Sequence, residues 1–215
     1  MGFYKDLKDL NENLYHNPTS DFKEFKWIDT YENDGLLLSL YKYKDRHVLA
    51  IKGTDVTLSL KGLYISIDDA RNDIAIYRKH LPKQSFSVEK YYQEIKDKYN
   101  DILVTGYSLG GSLAQILGSR NHLETITFCS VGTKELCGDT STILNFGNLL
   151  DYCFMRNFSQ QVGKIMIMAI GTPPKHYPSG NRSIKYHFYS DYGNPDTAVE
   201  LDRSRLVNYA KDYLI

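Results

Sequence analysis

Apolar and polar residues alternate in short blocks along all 215 positions of this chain, and the rhythm of the blocks changes with position. A first helix is predicted over residues 3–15. The segments Gly35–Tyr43 and His47–Lys52 are rich in Leu, Val and Ile and are split by the polar turn Lys44-Asp45-Arg46, the pattern of an antiparallel hairpin. Residues 68–79 open with two acids, as a helix N-terminus should. Residues 87–99 begin with Ser87 and place Val88, Tyr91, Tyr92, Ile95 and Tyr99 at helical spacing. From residue 101 short apolar strands alternate with helices: ILVTG (102–106), LGGSLAQILGSR (109–120) and ETITFCS (124–130) make a βαβ pattern. Further strands are expected at TILNF (142–146) and QVGKIMIMAI (161–170), before the breaker Gly171-Thr172-Pro173-Pro174. A last helix, 196–213, would present Val199, Leu206, Val207, Ala210 and Leu214. The sum is an α/β fold: a mixed, mostly parallel sheet, antiparallel at its N-terminal end and flanked by helices. No repeat or linker-like stretch divides it, so residues 1–215 read as a single domain with residues 1–34 as a lead-in.

Composition narrows the function. At 42% hydrophobic and 24% charged residues the chain can bury a sizeable core. Lys plus Arg and Asp plus Glu each total 26, so the net charge is zero and no global field draws nucleic acid; no nucleic-acid partner is expected. The 18 tyrosines follow no regular motif and read as compositional bias, not as a base-stacking surface. Three cysteines, Cys129, Cys137 and Cys153, lack metal-type spacing, which argues against a disulfide framework or a zinc site. No apolar run reaches membrane-spanning length, and MGFYKDLKDL is too charged for a secretory signal, so a cytoplasmic location is expected.

The chemistry concentrates at Gly106-Tyr107-Ser108-Leu109-Gly110, a G-x-S-x-G between a predicted strand and a predicted helix. A strand that must reverse into a helix within a few residues forces strained angles on the serine, and glycine at both flanks avoids a clash. The hydroxyl then stands at the sheet edge near the positive end of the helix dipole, where the Leu109 N–H can donate to a negative oxygen. The alternative is a glycine-rich turn with an inert serine.

Val104-Thr105-Gly106-Tyr107-Ser108-Leu109-Gly110-Gly111-Ser112-Leu113-Ala114 closely resembles the nucleophile stretch of the class 3 lipases, a branch of the α/β-hydrolase fold. Tyr107 stands where a His is most usual. Upstream, Leu49-Ala50-Ile51-Lys52-Gly53-Thr54-Asp55 is similar to the family's apolar strand ending in Arg-Gly-Thr, with Lys52 in place of the Arg. The likeness runs from about residue 35 to 192. It implies an α/β-hydrolase-like fold, a carboxylic-ester hydrolase activity and Thr54 as second oxyanion donor beside Leu109. Thr127-Phe128-Cys129-Ser130-Val131-Gly132-Thr133 departs from the family's Phe-Gly-x-Pro-Arg-Val-Gly, so the chain reads as a compact, divergent member.

A serine needs a base, and the base needs an orienting acid. In this fold both follow the serine in the chain. Among histidines that leaves His122, His176 and His187. His122 sits at the end of the elbow helix and reads as a surface residue. His187 opens His187-Phe188-Tyr189-Ser190-Asp191-Tyr192, similar to the family's histidine loop, and is the expected base; His176, in a Pro-flanked stretch, is the alternative. Asp151 follows the strand TILNF through Gly147-Asn148-Leu149-Leu150 and is the expected acid. Asp139 precedes that strand and should be a solvated turn residue, while Asp191 and Asp196 come too late. The apolar segment 55–67 after Thr54 reads equally as a lid and as a buried strand; a lid would favour lipid-like substrates and transient contact with a lipid surface.

The leading expectation is therefore a Ser108–His187–Asp151 hydrolase of small esters or lipids, with no metal or organic cofactor implied. A thioesterase or amidase would use the same groups, and an inactive hydrolase-fold binding module is the non-enzymatic alternative.

Overall fold

The computed structural model describes residues 2–33, 35–53, 56–59, 62–65, 75–76, 79–148, 151, 154, 158–168 and 194–200, with the backbone alone described at 56–59 and 62–65. Strands β1 (Lys26–Asn33), β2 (Leu36–Tyr43) and β3 (Arg46–Ile51) form an antiparallel meander, the last two being the hairpin expected from the Lys44-Asp45-Arg46 turn. A separate two-stranded hairpin, β4 (Val56–Ser59) and β5 (Gly62–Ile65), follows inside the 55–67 segment. Then come β6 (Ile102–Tyr107), β7 (Thr125–Phe128), β8 (Ile143–Gly147), β9 (Lys164–Ile167) and β10 (Val199–Glu200). The described strands make an eight-stranded sheet in the order β1-β2-β3-β6-β7-β8-β9-β10. Pairing is parallel from β3 to β9 and antiparallel at both margins. This is the mixed, mostly parallel α/β sheet that the block pattern predicts.

The central strands are apolar at consecutive positions because both faces are covered. Val48, Ala50 and Leu103 point into a core under helix α1 (Phe3–Asn13). Leu49, Ile51 and Val104 point into a second core under α2 (Gln84–Ile95) and α3 (Leu109–Asn121). Helix α1 lays Leu7 and Leu10 onto the sheet, and Leu14 beyond it, and each is buried. Its Asn11 spends a buried amide donating to the Leu7 carbonyl and to Thr105 Oγ1, each at 2.9 Å. The outer face carries Lys5 and Asp9 four residues apart, and Lys23 reaches back to both Asp6 and Asp9 at 2.6 Å. Burial alone would raise the Asp9 pKa, but the Lys23 and Lys5 ammonium groups outweigh it and hold that carboxyl below its ordinary value.

Three parts of the chain depart from the sequence expectation. Lys26–Asn33 is an edge strand whose residues are exposed or half-buried, so no apolar alternation betrays it; a register shift between Trp27 and Asp29 breaks its ladder. Helix α2 starts three residues before Ser87. The helix expected over 196–213 does not start there: Pro195–Thr197 is a single 3-10 turn, capped by the Asn194 side chain accepting from the Asp196 N–H, and Val199 and Glu200 pair with Ile167 and Met166 as β10. A β-branched residue opposite a sheet margin gains a ladder that helical propensity does not match. Residues 201–215, and most of the helix expected at 68–79, lie outside the described residues. No helix among the described residues is long and apolar enough to cross a membrane.

Because α1 packs Leu7 and Leu10 into the core on one face of the sheet, truncating its centre opens a cavity. Leu10→Ala should cost about 3 kcal/mol in urea unfolding, against little for the exposed Lys5→Ala.

Candidate active site

The crossing from β6 to α3 is built from glycines. A Cβ at Gly106 would run into the Gly110 carbonyl, and a Cβ at Gly110 would run into the Ile51 carbonyl at the end of β3. Helix α3 is thereby drawn down against the ends of β3 and β6, closer than any side chain permits. Ser108, between those glycines, has φ 55° and ψ −123°, a left-handed geometry that L-residues rarely adopt. Its N–H donates to the Phe128 carbonyl at 3.0 Å, anchoring the turn to β7. Its side chain makes no capping hydrogen bond to the helix it precedes, and the residue is 8% exposed. Leu109 opens α3, so its N–H belongs to the first turn, where amides have no carbonyl partner within the helix.

Asp151 lies beyond the carboxyl end of β8, two strands from the serine strand, and is fully buried. Its N–H donates to the Asn148 carbonyl at 3.0 Å, and its Oδ1 accepts from the Phe154 N–H at 3.1 Å. Ser108 and Asp151 thus sit at the same end of parallel strands that β7 separates. The loop after β3 reaches the same place, since a Cβ built on Gly53 would lie 3.4 Å from Ser108 Cβ. Thr54, His176 and His187 lie outside the described residues; the chain leaves β9 at this same end immediately before the segment that carries both histidines. His122 ends α3 in a left-handed cap, exposed, 3.6 Å from Asp139. Asp139 accepts from the Ser141 N–H and hydroxyl at 2.9 and 3.0 Å, the solvated turn expected of it.

Two further groups of side chains escaped the sequence reading. Between α3 and the sheet, Gln115 donates to Thr127 Oγ1 at 3.0 Å and to Ser130 Oγ at 2.6 Å, and accepts from Thr133 Oγ1 at 2.7 Å. Thr127 and Ser130 both donate to Asn145 Oδ1 at 3.0 Å. Asn145 donates to Gln161 Oε1 at 2.7 Å, and Gln161 donates in turn to the Ser130 and Phe154 carbonyls. The network therefore runs from the elbow helix to the backbone that holds Asp151. On the opposite face Tyr107, Cys129 and Asp151 meet. Burial, then the neighbouring Cys129 and the Asp151 charge, push the Tyr107 hydroxyl well above its ordinary pKa. Burial, and next the Asp151 carboxylate, push the Cys129 thiol up, so it stays protonated at neutral pH. Single amides and a lone Cys give no periodic signal that could have found either group. Among the described residues no group of His, Cys, Asp and Glu could hold a metal ion.

The strain at position 108 is measurable. Ser108→Gly, which relieves the left-handed backbone, should unfold at higher urea than Ser108→Ala, which keeps it, by about 1–2 kcal/mol.

No protein-family model matches the chain, and no curated protein matches it. Among solved structures, it is similar to a fungal lipase at 10% identity and a TM-score of 0.49, covering 93% of this chain and 84% of that one. It is also similar to the capsule O-acetyltransferase of Neisseria meningitidis serogroup A, at 11% identity and 0.40, covering 85% and 93%. A third likeness is to an α/β serine hydrolase without lid from Xanthomonas campestris, at 10% and 0.33, covering 68% and 85%. At these identities and scores none of the three assigns this chain an activity.

Proposed function

We propose that this protein is a serine hydrolase that cleaves carboxylic esters, of lipase or esterase type. In this reading Ser108 Oγ attacks the ester carbonyl as His187 takes its proton. The imidazolium then gives that proton to the departing alkoxide as the C–O bond breaks. Water attacks the acyl carbon next, losing a proton to His187, and the acid forms as Ser108 recovers its hydrogen. Asp151 holds the imidazole in the productive tautomer and stabilises its charged form without taking the proton. The Leu109 N–H and Thr54 donate to the tetrahedral oxygen. The partner is a small ester or lipid, and no cofactor has a part.

The observation that carries this reading is the backbone of Ser108. A non-glycine residue held at φ 55° between two glycines pressed against neighbouring backbone is a costly way to make a turn, since a third glycine would serve better. The buried Asp151 carboxylate at the same sheet end supports the acid's role, and the approach of Gly53 to Ser108 supports that of Thr54.

A fluorophosphonate probe should label the folded protein at Ser108 and at no other position, as mapped by peptide mass spectrometry. His187→Ala should slow p-nitrophenyl ester turnover by about 10⁴-fold or more, while His176→Ala stays near wild type. Esters of graded chain length run beside thioesters report the acyl and leaving-group preference. Absence of label on folded protein overturns the hydrolase; loss of turnover only in the His176 variant reassigns the base.

A further inference from the structure

Phe154 meets Asp151 through its backbone and is itself held at three other points. Its N–H donates to Asp151 Oδ1 at 3.1 Å, and both residues are fully buried. Its ring lies against Gly147 at the end of β8, where a Cβ would fall among the ring carbons. The same ring meets that of Phe158 edge-on, with centroids 5.8 Å apart. Its carbonyl accepts from Gln161 Nε2 at 3.1 Å.

Gln161 is placed to hold that carbonyl. It is 1% exposed and follows the 3-10 turn Phe158–Gln160, with its own N–H donating to the Phe158 carbonyl at 3.0 Å. The Gln160 carbonyl before it accepts from the Lys134 N–H at 2.9 Å. The side-chain nitrogen faces two backbone carbonyls, those of Ser130 at 2.9 Å and Phe154 at 3.1 Å. Carbonyls only accept, so the amide has one orientation open to it; flipped, it would set oxygen against oxygen twice. Gln161 Oε1 must then accept, and Asn145 Nδ2 donates to it at 2.7 Å. That leaves Asn145 Oδ1 to accept from the Thr127 and Ser130 hydroxyls, which in turn accept from Gln115 Nε2. The series is therefore directed from α3 toward the acid loop, and Gln161 is its last member.

We propose that Gln161 is a positioning residue for the acid of the hydrolase: it holds the Phe154 carbonyl, and Phe154 holds the Asp151 carboxylate. This inference rests on the serine-hydrolase reading above and deepens it. The Phe154 N–H and carbonyl belong to successive peptide groups, so what passes between them is the placement of the residue, not the polarisation of one bond. With the ring fixed over Gly147 and the carbonyl tied to Gln161, the N–H keeps one direction, and Asp151 Oδ1 is met from it. Such support matters to rate, since a misplacement of about 1 Å can cost about 10²-fold. Thr133 stands at the far end of the same network, donating to Gln115 Oε1 at 2.7 Å, and is as deeply buried as Gln161. Its bond stabilises the fold without reaching Phe154.

Amide hydrogen exchange in the full-length protein, followed by NMR, tests the placement without relying on turnover. In Gln161→Met, which keeps the length and removes the amide, the Phe154 N–H should exchange about tenfold faster while the amides of β6 and β7 keep their wild-type rates. Ester turnover supplies the second readout: kcat should fall about tenfold at unchanged KM. Gly147→Ala reaches the same residue through its ring, leaves every amide in place and should do likewise; if Gln161→Met does not fold, Gly147→Ala decides. Thr133→Val should unfold at lower urea than wild type yet keep its kcat. A Phe154 N–H that exchanges at the wild-type rate in the variants, with Ser108 still labelled by fluorophosphonate, overturns the positioning role and leaves the hydrolase standing. So does a kcat that falls as far in Thr133→Val as in Gln161→Met, because loss of stability then accounts for both. Wild-type protein that takes no label overturns the hydrolase reading, and with it the part of Gln161 in catalysis, whatever the exchange at Phe154.

Discussion

Backbone meets backbone where β6 turns into α3, and the rest of the architecture is arranged around that approach. Gly106 lies against the Gly110 carbonyl, and Gly110 against the carbonyl that ends β3. With no Cβ at either position the helix axis comes down onto the sheet, and Ser108, midway between them, is held at φ 55°. That strain is offset by the pairing of β6 with a strand on each side and by the Ser108 N–H donating to β7. Eight strands, two cores and the covering helix α1 are what hold five residues in that shape.

The interior that supports the crossing is more polar than its sequence suggests. Ser112, Gln115, Thr127, Ser130, Asn145 and Gln161 are all buried, on the face of the sheet that receives α3. Left unpaired, each would cost about 1–3 kcal/mol. They are instead bonded to one another and to the carbonyls of Val131, Ser130 and Phe154. Such a network, fully satisfied, admits few alternative packings. Its consequence is positional: the helix that starts at Ser108 and the loop that ends in Asp151 are fastened to the same amides.

Net charge plays no part in any of this. Acids and bases balance over the chain, and the charges that matter act across single contacts, such as Lys23 on Asp6 and Asp9 at 2.6 Å. The pKa of the Tyr91 hydroxyl, on a buried side chain and donating to Asp29 at 3.0 Å, is raised by burial first and by that carboxylate second. These are local arrangements of α1, α2 and β1, remote from the serine.

The α/β class, the β2–β3 hairpin, the βαβ unit from 102 to 128 and the elbow itself were written in the chain by itself. Their signals are local: an apolar run of strand length, a turn, a glycine two residues on either side of a serine. The position of residue 151 just beyond a strand end was legible as well, because the TILNF run marks where β8 stops. What only the tertiary structure decided depends on surfaces brought together from distant positions. The edge strand Lys26–Asn33 gains its ladder from β2, and Val199 takes its strand geometry from β9, against a helical spacing that reads convincingly in one dimension. The polar network joins residues 7 to 31 positions apart, with no period connecting them. A chain can announce the elements it will form, but which polar atom finds which partner is settled only when the sheet brings the strand ends side by side.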